Sequence, residues 1–121
     1  MPRHIPFYEY LTRTQAEKEV RRIVRRCMAN VGIREDAIDL IDIETFFTAD
    51  KHAYAVHCLV TNQLVWSGFP ENEAEAIYSA IPGDLVTETR VDIVKRNHHL
   101  DEFMLAIATA NTLIKHINEN V

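Results

Sequence analysis

Between positions 14 and 31 the apolar residues Ala16, Val20, Ile23, Val24, Cys27, Met28 and Val31 recur at steps of three and four, the period of one helical face. Thr14 and Glu17 form a T-x-x-E capping box ahead of that stripe, and Gly32 stands behind it as a C-terminal stop. An amphipathic helix is predicted there, with Lys18, Arg21, Arg22, Arg25 and Arg26 on its opposite face. The period then changes. Ile41, Ile43, Thr45 and Phe47 alternate with Asp42, Glu44 and Phe46, which predicts a half-buried strand over 41–47, followed by a turn at 49–52.

Tyr54, Val56, Cys58 and Val60 alternate with Ala53, Ala55, His57 and Leu59, so a second strand over 53–60 is apolar on both faces, as a central strand would be. Asn62 and Gln63 then serve as a tight turn into a short third strand over 64–69. Pro70 suits the first turn of a helix over 70–80, since its missing N–H is an orphan there anyway, and Glu71, Glu73 and Glu75 suit the positive end of that helix's dipole. Leu85, Thr87, Thr89, Val91 and Ile93 predict a fourth strand through Lys95. Over 98–118, Leu100, Phe103, Ile107, Ala110, Ile114 and Ile117 alternate steps of three and four, a heptad-like seam that Val121 continues.

The expected architecture is therefore α+β, in the order α-β-β-β-α-β-α. An antiparallel sheet of about four strands is packed by N-terminal, middle and long C-terminal helices. With 121 residues, 47% hydrophobic and 26% charged, the whole chain 1–121 reads as one domain. The C-terminal helix has more apolar surface than one neighbour covers. That surplus marks Leu100, Phe103, Ile107, Ala110, Ile114 and Ile117 as a dimer or partner interface. The element order, small size and acidic charge resemble those of the bacterial type III secretion chaperones, dimers that bind unfolded effector segments; the resemblance implies a homodimer of similar use.

Charge refines this picture. The net charge of -5 averages over unlike parts: positions 13–34 hold seven bases against two acids, while 35–50 hold six acids and no base. The basic face Lys18, Arg21, Arg22, Arg25 and Arg26 is thus a candidate surface for an acidic protein partner. Nucleic acid or a phosphate ligand is the alternative occupant. No apolar run approaches the roughly 20 residues needed to cross a bilayer. No secretory signal is visible, and Cys27 and Cys58 lack metal or C-x-x-C spacing, so a reducing cytoplasm is expected.

Catalytic chemistry is sparse. Three isolated glycines cannot build a glycine-rich phosphate cradle. His98, His99 and Glu102 have ligand-like spacing but make half a metal site at best, so no metal or cofactor is expected. A metal-dependent hydrolase built on such His and carboxylate ligands is the remaining enzymatic option. Asp42 and Glu44, read as neighbours on one strand face, are a further carboxylate pair. His57 and Cys58, read as strand neighbours, point to opposite faces. Trp66 and Phe69 read as caps on the core. With no complete catalytic set, the expected function is non-enzymatic: a small acidic protein-binding module of chaperone, inhibitor or immunity type.

Overall fold

The computed structural model describes residues 4–10, 12–30, 32–38, 40 and 43–120. Among these, every regular element is a helix: α1 (Arg13–Asn30), the single-turn α2 (Glu35–Ile38) and α3 (Ile43–Phe46), a 3-10 turn (Ala49–Lys51), α4 (His52–Trp66), α5 (Glu71–Ser79), α6 (Gly83–Arg96) and α7 (Glu102–Asn120). The α+β expectation is overturned. No strand forms among the described residues, no sheet exists for the helices to cover, and the chaperone-like element order falls with it.

The correction has an identifiable cause in each segment. Residues 53–66 form most of one helix, α4, which packs against α7, α5 and α1 and is buried on nearly every side. A helix surrounded by neighbours shows no polar stripe, so its apolar run is indistinguishable from that of a central strand. The supposed turn lies within it, and Asn62 Nδ2 donates back to the Cys58 carbonyl at 2.8 Å. The supposed third strand is its C-terminal end. Gly68, at φ 110°, and Phe69 close that end, with the Phe69 N–H on the Leu64 carbonyl at 3.1 Å and the Gly68 N–H on that of Val65 at 3.0 Å.

Residues 85–95 belong to α6. Leu85, Thr89 and Ile93 face inward at steps of four, and four is also a multiple of two, so the strand reading and the helix reading share the same residues. Of the first supposed strand, Ile41 and Asp42 lie outside the described residues, as does the side chain of Glu44. Phe46 and Phe47 are buried at the end of α3, and Phe47 meets Phe103 of α7 edge to face at 4.9 Å.

The start of α1 also differs in detail. Its capping residue is Thr12, whose hydroxyl accepts the Gln15 N–H at 3.1 Å and donates to Gln15 Oε1 at 3.2 Å. The helix then buries Ala16, Val20, Val24, Cys27 and Met28. Val31 and Val121, the predicted ends of the two apolar stripes, lie outside the described residues. Gly32 supplies the positive φ of 88° that ends the α1 segment, with the Ile33 N–H on the Met28 carbonyl at 3.1 Å. At the start of α7, Asp101 Oδ1 accepts the Met104 N–H at 2.8 Å. Arg13 reaches that corner from α1, pairing with Asp101 and lying 5.6 Å over the Phe103 ring.

Phe103, Ile107, Ala110, Ile114 and Ile117 of α7 are buried in the chain's own core, with Leu100 half-buried beside them. The apolar surplus on this helix is thus taken up within the chain. Helices α4 and α6 pack along it, and so does the N-terminal segment. That segment, residues 4–10, is extended and runs antiparallel to α7. The Ile5 N–H and carbonyl bond to Asn118 Oδ1 and Nδ2, both at 2.9 Å, and those of Tyr8 bond to Asn111 at 2.8 and 3.1 Å. Seven helical residues rise about 10 Å, and so do three extended ones, so two asparagines two turns apart match Ile5 and Tyr8 in register.

Candidate functional site

The N-terminal segment, α1 and the C-terminal half of α4 enclose an open groove of about 860 Å³. The extended segment forms one wall because its backbone is satisfied from within the molecule: besides the asparagine pairs, Gln63 Nε2 donates to the Pro6 carbonyl at 2.8 Å. Tyr8 anchors it, donating its hydroxyl to the Leu59 carbonyl at 2.6 Å. The Tyr8 and Tyr10 rings stack at 5.9 Å between centroids. Burial pushes both phenols up from their ordinary pKa; for Tyr8 the neighbouring Tyr10 adds to this, and for Tyr10 Glu19 adds while Arg22 opposes. Both stay neutral at physiological pH.

Trp66 stands at the groove's edge with 71% of its surface exposed, so it does not cap the core; Phe69 is partly buried against that core. The charged lining is balanced, with Glu9 and Glu19 against Arg22 and Arg26. Arg22 pairs with Glu19 at 2.8 Å, and Arg26 pairs with Glu71 of α5. Lys18, Arg21 and Arg25, like these two arginines, are exposed on the outer side of α1. The structure therefore keeps the predicted basic face together as a solvent-facing bank, and two of its five cations turn toward the groove. Its lining offers aromatic rings, amides and ion pairs, which is chemistry for binding.

The predicted metal-type grouping does not converge. His98 and His99 sit exposed in the connection between α6 and α7, while Glu102 is gripped by Arg90 through two hydrogen bonds of 2.7 and 2.9 Å. Those bonds hold the Glu102 carboxyl below its usual range. Among the described residues, no three His, Cys, Asp or Glu side chains come together as a ligand set. His57 and Cys58 do diverge, but as helix neighbours. His57 turns to α5, where it stacks on Tyr78 at 4.4 Å and bonds Glu75 at 2.7 Å, whereas Cys58 turns inward to Cys27.

Three features escaped sequence reasoning. His52, the first residue of α4, is 5% exposed and has, among the described residues, a partner for neither ring nitrogen. Burial lowers its pKa to about 4, with Arg90 adding to the shift and Glu102 opposing it. The N-terminal wall is the second feature. Its only signal was a pair of asparagines seven residues apart on an apolar helix face. The third is the Cys27 and Cys58 contact, which joins two helices far apart in sequence. Comparison with protein-family models, with curated proteins and with solved structures returns no significant match.

Proposed function

We propose that the protein is a non-enzymatic binding module whose groove receives a short peptide segment of another protein, one carrying an apolar or aromatic anchor flanked by acidic residues. The observation that carries this is the open, aromatic-lined groove at the edge of the basic face of α1, with exposed Trp66 on its rim. The anchor would cover Tyr10 and Trp66, and the acidic flank would lie along the bank of Lys18, Arg21, Arg22, Arg25 and Arg26. A nucleic acid fits less well. Glu9 and Glu19 line the groove beside the two arginines, both of those arginines already hold carboxylates, and the chain as a whole carries -5.

Trp66 is the chain's single tryptophan, so its emission reports on this groove alone. The test selects a random peptide display library against the protein and titrates the enriched synthetic peptides by Trp66 fluorescence. A fluorescein-labelled single-stranded oligonucleotide runs in parallel at low salt. Enriched peptides should be acidic with an aromatic or apolar anchor and should shift the Trp66 emission. Their affinity should fall about tenfold or more, a difference of 1.4 kcal/mol, in Arg22→Glu and Tyr10→Ala proteins. Peptides that bind both variants as well as the parent, or tight binding of the oligonucleotide alone, would refute the proposal.

A further inference from the structure

Cys27 of α1 and Cys58 of α4 lie 31 positions apart in sequence and meet between the two helices. Both are free and nearly buried, at 5% and 7% exposure, and the Asn62 side-chain amide touches both residues, at the Cys27 sulfur and the Cys58 carbonyl. The contact is held in place on both sides. Asn62 Nδ2 donates to Cys27 Sγ at 3.3 Å while also donating to the Cys58 carbonyl, and the Tyr54 hydroxyl donates to the Cys27 carbonyl at 3.3 Å.

The two sulfurs are not equivalent. Contact with Cys58, the Asn62 amide on its sulfur and the positive charge of Arg26 hold the Cys27 thiol below its ordinary pKa against the effect of burial. Cys58 is pushed up by the same contact and by burial. A cleft lies one side chain away from the Cys27 sulfur, with Asn62 between them. This cleft, of about 190 Å³ between α1, α4 and α5, is lined by Arg26 and by Asn62, whose amide touches the Cys27 sulfur. Hydrogen peroxide is little larger than water and would fit such a space.

We propose that Cys27 and Cys58 form a two-electron oxidation site, at which hydrogen peroxide converts the pair into an intramolecular disulfide bonding α1 to α4. Cys27 thiolate attacks one peroxide oxygen, the O–O bond breaks, and the departing hydroxide takes a proton and leaves as water. Cys27 is then a sulfenic acid. The Cys58 sulfur attacks the Cys27 sulfur, the S–O bond breaks, and the departing hydroxide takes up the Cys58 proton as a second water. Two thiols are oxidised and one peroxide is reduced to two waters. Because α1 and α4 are two walls of the groove, the bond would fix their spacing. The site itself does not depend on what the groove binds.

The test exposes fully reduced protein to a small excess of hydrogen peroxide, blocks the remaining thiols with iodoacetamide and measures intact mass and peptide maps. A free cysteine standard in the same tube shows that oxidant is present. The expected product has lost the mass of two hydrogens, carries no alkylation, runs as a single chain on a non-reducing gel and yields a Cys27 to Cys58 linked peptide. Cys58→Ala protein should accumulate dimedone-reactive sulfenic acid at Cys27, and Cys27→Ala protein should stay unmodified at Cys58. Parent protein that keeps two alkylatable thiols while the standard is oxidised, or that links only between chains, would overturn the proposal. So would faster oxidation of Cys58 in Cys27→Ala than of Cys27 in Cys58→Ala. The parent measurement decides the matter even where a variant does not fold.

Discussion

Acid should unfold this protein earlier than its carboxylates alone would require, and His52 is the reason. The residue opens α4, where the helix dipole already disfavours a cation, and its ring has no hydrogen-bond partner among the described residues. Arg90 and Glu102 are the charged groups acting on it, with opposite signs, and burial is the larger effect; together they bring its pKa from 6.5 to about 4. A histidine with a depressed folded pKa binds its proton more tightly in the unfolded chain. Stability is therefore full above about pH 6.5 and is lost progressively as pH falls toward 4.

At pH 5 the unfolded ring is almost wholly protonated and the folded ring almost wholly neutral. The gap there is about 1.5 pH units below the unfolded value, or at most about 2 kcal/mol at 1.36 kcal/mol per unit. With a urea slope of about 1–3 kcal/mol per molar, the midpoint should drop by about 1 M between pH 7 and pH 5 on this account. The assay is urea denaturation followed by circular dichroism at both pH values, for the parent and for His52→Leu. Carboxylates shared by both proteins cancel in the difference of differences, which should be about 2 kcal/mol. If the two proteins lose stability in parallel between pH 7 and pH 5, the reasoning about His52 is refuted.

Two other substitutions probe the packing and the groove wall. Ile114 is fully buried against the chain's own core, so Ile114→Ala should cost about 2–5 kcal/mol in urea denaturation, and Ile114→Asp should unfold the chain; an Ile114→Asp protein that stays folded would place this residue at an interface instead. The double change Asn111→Leu with Asn118→Leu removes the four asparagine bonds to the backbone of Ile5 and Tyr8. Amide hydrogen exchange should accelerate at those two positions while the core amides of α4 stay protected, and unchanged protection at Ile5 and Tyr8 would count against the asparagine pairing.

The sequence by itself determined the helices whose amphipathicity is local. Each of α1 and α5 carries its own polar face and its own end signals, and the inward stripe of α7 repeats regularly enough to be read without its neighbours. The basic bank on α1 was legible for the same reason, since residues on one side of a helix follow from spacing alone. Only the tertiary structure decided α4 and α6. A helix enclosed by α1, α5 and α7 has no polar stripe to betray its period. Leu85, Thr89 and Ile93, spaced by four, satisfy both a strand and a helix.

Contacts between distant segments were invisible for a different reason. The asparagines that hold the N-terminal wall, the meeting of Cys27 with Cys58 and the enclosure of His52 each depend on where separate helices stop and cross. Charge segregation was written in the order of residues. The groove beside it exists because Asn111 and Asn118 of α7, with Gln63 and the Leu59 carbonyl of α4, fix an extended segment against α4 and α1.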